Sequence, residues 1–164
     1  EAELGLANEM ANNQFIAHHS VIFQPEKKRM WVSTAPWQCG KYVAYDLNRI
    51  FSDSIDFNHE IYTENLTVPA DSFLQQQEYQ QLMTYKRLAP VLRKQIKKKE
   101  RLDDQTLHAF QHANPHFFYV YELLGDYYHA TGQQDKALRN WKKALLLPIP
   151  KRSESERIEH KINN

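Results

Sequence analysis

Cysteine is nearly missing from this chain: Cys39 stands alone, which excludes an internal disulfide and leaves the redox compartment open. No run approaches the roughly 18 apolar residues of a membrane span. The first residues, EAELGLANEM, lack the basic start and apolar middle of a signal peptide. A mean hydropathy of −0.73 argues for a soluble protein, while 41% hydrophobic residues in 164 suffice for a packed core.

An excess of charge of one sign is also missing overall, but the net +1 hides an uneven distribution. Residues 1–85 hold 5 basic and 11 acidic side chains, residues 86–101 hold 8 and 1, and residues 102–164 hold 8 and 8. One short stretch, Lys86 to Arg101, is therefore positive against a neutral or acidic remainder. Its density suits phosphates, but it lacks the interleaved aromatics of a single-strand binder, and a charged helical face is commonly just solvated. Nucleic acid is accordingly not expected as a partner.

The periodicities change along the chain. Leu4, Ala7, Met10 and Ala11 share one helical face, predicting a helix over 2–14. His19–Phe23 and Met30–Thr34 are β-rich runs around the polar turn at Pro25, which predicts an antiparallel hairpin, and Tyr42–Leu47 is a candidate third strand or extended segment. Such strands need a partner surface, because two or three strands with aromatic faces do not stand alone. Residues 52–69 are irregular and polar, a linker or wrapped loop in which the sequon Asn65-Leu-Thr67 is read as a chance occurrence. The remainder reads as helix. Ser72 with Gln75 forms a capping box, Leu82, Tyr85, Ala89, Leu92 and Ile96 make an apolar stripe, and Pro90 should kink or split that helix. Asp103 or Asp104 caps the next one, Asn114-Pro115 opens another, and Ser153 with Glu156 caps a last short helix carrying Ile158 and Ile162. The fold class is thus α+β: short antiparallel strands near the N-terminus, then a mainly helical array.

Within that array, Tyr121, Leu124, Gly125, Tyr128, Gly132, Ala137, Trp141 and Ala144 stand at the spacings of a tetratricopeptide repeat, which these residues resemble. Each has a physical reason. Gly125 and Ala137 are small where two antiparallel helices cross, the aromatics and Leu124 fill the seam, and Gly132 supplies the positive φ that ends the first helix. No second copy appears about 34 residues upstream. The resemblance implies a groove face on the first helix made by Tyr119, Glu122, Asp126 and His129. Two carboxylates there disfavour a partner with a free C-terminal carboxylate and favour a basic or aromatic segment, or the protein's own hydrolase domain or linker packed on that face. Arg or Lys from residues 86–101 are the expected neutralising groups.

Candidate chemistry is thin. Cys39, in Trp37-Gln-Cys-Gly40, has no base or oxyanion donor specified nearby in sequence, so a structural thiol is the default. His108, His112 and His116 recur every fourth residue, but Ala109 replaces the Glu of the zincin motif and Pro115 breaks the helix before His116. His18 and His19, adjacent at a strand start, point to opposite faces. No catalytic residue, metal ligand or cofactor is therefore assigned.

The phrases Phe15-Ile-Ala-His-His-Ser-Val-Ile-Phe-Gln-Pro, Met30-Trp-Val-Ser-Thr-Ala-Pro-Trp and Tyr42-Val-Ala-Tyr-Asp-Leu-Asn resemble the last strands of bacterial proteins akin to isopenicillin N acyltransferase. These are autoproteolytic cysteine members of the N-terminal-nucleophile (Ntn) hydrolases. The resemblance covers about residues 2–51 and implies that they close one sheet of an αββα sandwich. The family's nucleophile is a cysteine exposed as a new N-terminus, and Cys39 matches no such position, so the resemblance carries over no catalytic residue. The implied organisation is a closing helix and strands in 1–52, a linker in 53–70, and a helical domain in 71–164 with one repeat unit at 115–148 and a capping helix. The implied function is the C-terminal portion of an amide-bond hydrolase or acyltransferase, inert on its own, whose partner is an upstream hydrolase segment of the same protein or a second chain. The alternative is a tetratricopeptide-type protein–protein interaction module, with a peptide or protein partner and no enzymatic activity.

Overall fold

The hairpin forms where β-branched and aromatic residues flank a proline turn. Strand β1 (Val21–Gln24) pairs antiparallel with β2 (Arg29–Ser33), with Ile22 opposite Trp31 and Phe23 opposite Met30. A 3-10 turn at Pro25–Lys27 joins them, closed by Lys28 in the left-handed region at φ 49°, its N–H donating to Pro25 O at 3.0 Å. Strand β3 (Tyr42–Asp46) pairs antiparallel with β2, giving the order β1-β2-β3. In this computed structural model, which describes residues 2–11, 15–52 and 60–164, the chain divides into two compact units.

The sheet unit spans Phe15–Gln76. Asp46 caps the short helix α1 (Leu47–Ile50) by accepting from Asn48 N–H. Residues 60–70, expected to be linker, wrap the β3 side: Thr63 N–H donates to Ala44 O at 2.8 Å, Tyr42 and Val68 form a β-bridge, and Trp31 Nε1 donates to Leu66 O at 2.9 Å. Residues 53–59 of that expected linker lie outside the described residues. The capping box expected at Ser72 and Gln75 is a 3-10 turn instead, because Asp71 takes the capping role and accepts from Phe73 N–H at 2.9 Å.

The helical unit comprises residues 1–14 together with 77–164, so the division differs from the expected one at both ends. Its helices are α2 (Gln77–Lys98), α3 (Asp104–Ala113), α4 (Phe118–Ala130), α5 (Gln134–Leu145) and α6 (Arg152–Asn163). Helix α2 runs unbroken through Pro90, which therefore does not split it. Leu88, Ala89 and Leu92 are buried on either side of the proline while Pro90 is exposed, so packing holds both turns across the one missing amide. Asp103 caps α3 through Thr106 N–H at 2.7 Å, as expected.

Two helix starts were misplaced by the sequence. Helix α4 begins at Phe118 rather than Asn114-Pro115, because buried Asn114 is engaged elsewhere: its Oδ1 accepts from Leu6 N–H at 3.0 Å and its Nδ2 donates to Leu6 O at 2.6 Å. Helix α6 begins at Arg152 after Lys151, with no side-chain cap, since Glu156 bonds Arg152 Nε at 2.7 Å and no capping box forms with Ser153. The helix expected over 2–14 is also corrected. Only Ala2–Leu4 makes a 3-10 turn, because Gly5 and Ala7 take positive φ values of 78° and 70°. That segment instead clamps the unit through Leu6 on Asn114 and through Asn8 Nδ2, which donates to Pro148 O at 3.1 Å; residues 12–14 lie outside the described residues.

The repeat signature corresponds to a helical hairpin. A Cβ added to Gly125 would collide with the Trp141 indole, so glycine is what lets α4 and α5 approach. Ala137, Trp141, Leu124 and Tyr121 are buried along the crossing, and Gly132 turns the chain between the helices at φ 76°. Ala137 is fully buried. Replacing it with Leu should overpack the crossing and cost on the order of 1–3 kcal/mol in chemical denaturation, and an unchanged midpoint would contradict this packing.

Candidate functional site

Tyr119, Glu122, Asp126 and His129, named from the sequence as a groove face, all lie on α4 and meet different fates. Glu122 is 2% exposed, which requires strong partners for its charge. It has three hydrogen bonds: Arg157 Nε donates to Oε1 and Nη2 to Oε2, both at 2.8 Å, and Lys161 Nζ donates to Oε1 at 2.8 Å. The bidentate Arg fork is the geometry that best matches a carboxylate. One turn further along α4, Asp126 accepts from Lys161 Nζ on both oxygens at 2.8 Å and from Trp141 Nε1 on Oδ1 at 3.0 Å. Two carboxylates and two cations thus form one neutral network linking α4, α5 and α6.

The neutralising groups are therefore Arg157 and Lys161 of α6, not the basic run at 86–101. The reason is helical spacing: Arg157 and Lys161 stand four residues apart on α6, as Glu122 and Asp126 do on α4, so the two rows meet in register. From the basic run Arg93 reaches this face, its guanidinium lying 5.5 Å from the Tyr119 ring centroid. Arg87, Lys94, Lys97, Lys98 and Lys99 of the run are exposed. His129 closes the row, with Nδ1 3.0 Å from Gln134 Oε1 and its ring 5.6 Å from the Trp141 ring. The signal for the missed cations was present in the last helix, whose Arg157 and Lys161 repeat the spacing of the carboxylates they meet.

Burial alone pushes the Glu122 carboxyl up, but the hydrogen bonds and charges of Arg157 and Lys161 outweigh it and hold the group below its ordinary value. Arg157 is raised in turn, chiefly by its hydrogen bonds to Glu122. Between the end of α6 and helices α2, α4 and α5 an open cleft of about 460 Å³ remains, walled by Ile96, Ala130 and Trp141 and edged by His129, His160 and Asn164.

Other candidates are placed plainly. Cys39 is 1% exposed, its thiol buried, and its backbone carbonyl accepts from Asp71 N–H at 2.8 Å. His112 Nδ1 lies 2.8 Å from His108 O within α3, and the helix ends before Pro115 and His116. Among the described residues no group of three His, Cys, Asp or Glu side chains is arranged to hold a metal ion, and no helix is long and apolar enough to cross a membrane.

In the sheet unit, β1 has a neighbour only on its β2 side among the described residues. Val21, Ile22 and Phe23 are 44%, 49% and 64% exposed, so both faces of this strand are bare. An apolar cleft of about 500 Å³ adjoins it, lined by Phe23, Pro25, Leu47 and Phe51 with Lys28 and Arg29 at its edge. Comparison of the chain with family models, curated proteins and solved structures found no match.

Glu122→Gln should lower stability by about 1–3 kcal/mol, because it removes the charge that Arg157 and Lys161 share. A depressed carboxyl contributes stability above its unfolded value, and that contribution is lost as the pH falls through the folded value. The gap between wild type and Glu122→Gln should therefore hold steady above pH 4.5 and close below it. A gap that persists unchanged to acid unfolding would show that the pair is not the cause.

Proposed function

We propose that this chain is the sheet-completing, non-nucleophile portion of an amide-bond hydrolase or acyltransferase of the N-terminal-nucleophile type. The observation that carries this reading is the open β1 edge. A strand rich in β-branched and aromatic residues, bare on its free edge and on both faces, is an aggregation hazard unless another element covers it. An αββα sandwich supplies such cover: more strands along the edge, a second sheet on one face and helices on the other. The contrast with β3 supports this, since β3 is wrapped by residues 60–68 of its own unit while β1 is not. Buried Cys39 fits a piece that contributes scaffold and no nucleophile.

A second reading rests on the α4–α5 crossing. Gly125 against Trp141, with α6 packed where a following repeat helix would sit, favours a tetratricopeptide-type module that holds a protein partner without chemistry.

N-terminal sequencing and intact mass of the natural gene product separate the two. The hydrolase reading expects a polypeptide beginning with Cys, either containing residues 1–164 or bound to them, that cleaves acyl-amide substrates. The 164-residue chain alone should cleave none, and Cys39→Ala should leave the activity of the whole product unchanged. A natural product with no cysteine-initiated polypeptide and no amide hydrolysis would overturn the hydrolase reading.

A further inference from the structure

We infer that the α4 face carrying Glu122 and Asp126 is a docking site for a basic helical segment with an Arg and a Lys four residues apart, and that α6 is its occupant within the chain. The inference stands apart from the hydrolase reading and concerns the helical unit alone. Three observations carry it. First, the recognition is stereochemical: a bidentate Arg157 fork on Glu122 and a Lys161 ammonium shared between Glu122 and Asp126, each contact at 2.8 Å, with Trp141 Nε1 fixing Asp126 from behind. That pattern reads charge and spacing together, as a binding site does.

Second, α6 buries little of its own surface beyond Ile158 and the half-buried Ile162. Ile158 is its one buried residue, its first turn has no side-chain cap, and Arg152, Glu156, Glu159 and His160 are exposed. The anchors before it belong to the linker: Asn8 on Pro148 O and Glu9 on Lys151 Nζ at 2.6 Å. A terminal helix with one fully buried side chain belongs with the elements that open most readily, so α6 is the element expected to open before the pair it covers. Third, α6 leaves the site incompletely filled. The cleft beside Ile96, Ala130 and Trp141 continues past its last turn, which offers the polar side chains His160, Lys161 and Asn164 to an apolar wall. A partner helix with the same Arg and Lys and an apolar residue one turn on would match the face better than α6 does.

The probe is a labelled synthetic peptide of residues 149–164, titrated against the full chain. Wild type, with its site filled, should bind it weakly. Arg157→Glu with Lys161→Glu should expel α6 and bind the peptide at least about tenfold more tightly, with the gain falling as salt screens the charges. Adding Glu122→Gln and Asp126→Asn should abolish that gain, and Asn164→Leu in the peptide should strengthen binding by filling the cleft. A double variant that keeps its helical circular dichroism but binds no better than wild type overturns the inference, as does binding that survives loss of both carboxylates. Should the double variant fail to fold, hydrogen exchange on the wild-type chain decides. Amides of α6 must exchange at least about 100-fold faster than those of α4 and α5, with the ratio rising with salt. Equal protection of the three helices overturns the inference.

Discussion

The closeness of α4 and α5 at Gly125 governs the arrangement of the helical unit. Because no side chain stands at Gly125, the Trp141 indole lies directly on the α4 backbone, and its Nε1–H then has one acceptor in reach, Asp126 Oδ1. Fixing Asp126 fixes the ammonium of Lys161, and Lys161 with Arg157 satisfies a carboxylate at Glu122 that burial would otherwise make costly. Apolar closeness thus dictates the polar order one layer out. The small residues place an aromatic, the aromatic places an acid, and the acid places a helix. Neutrality of the four charges matters as much as their distances, since two carboxylates this close without both cations would repel at short range.

The legibility of the fold follows from how local each determinant is. Helix pairing was legible from Tyr121 through Ala144 because every signal in that stretch concerns neighbours within one hairpin. The hairpin was legible from its β-rich runs and from Pro25 for the same reason, while Tyr42–Leu47 reads either as a strand or as an extended segment. Helix starts were harder. Asn114 has the chemistry of a cap, but its side chain serves Leu6, 108 residues away, and nothing local distinguishes the two uses. Pro90 is a similar case: its local cost is plain, while the burial of Leu88, Ala89 and Leu92 that offsets it depends on helices further along. The four residues of the expected groove row share α4, while the choice between two sets of cations turned on which helix returns to cover it. Net charge favoured residues 86–101. Register favoured Arg157 and Lys161.

The two units solve the same problem of exposed apolar surface in different ways. The helical unit closes on itself, with Phe110, Val120, Leu124 and Tyr127 almost wholly buried and the ion network sealing one side. The sheet unit covers β3 with its own residues and leaves Val21, Ile22 and Phe23 uncovered. A bare strand and a sealed helical hairpin in one chain make different demands on what surrounds them, since among the described residues the strand exposes apolar side chains along an unpaired edge.

The stacking of Phe15 on Phe73, ring centroids 5.0 Å apart, joins the two ends of the sheet unit. That unit interrupts the helical one, whose first residues must return to Asn114 across 108 positions. In an unstructured chain, closing a loop of that length costs about 4 kcal/mol of entropy. Once the strands have formed and the two phenylalanines have met, most of the intervening chain no longer counts as loop, and the remaining search for Leu6 is short. The stacked pair thus lowers the entropic cost of the Leu6–Asn114 closure, so a contact lying wholly in the sheet unit bears on the stability of the helical one.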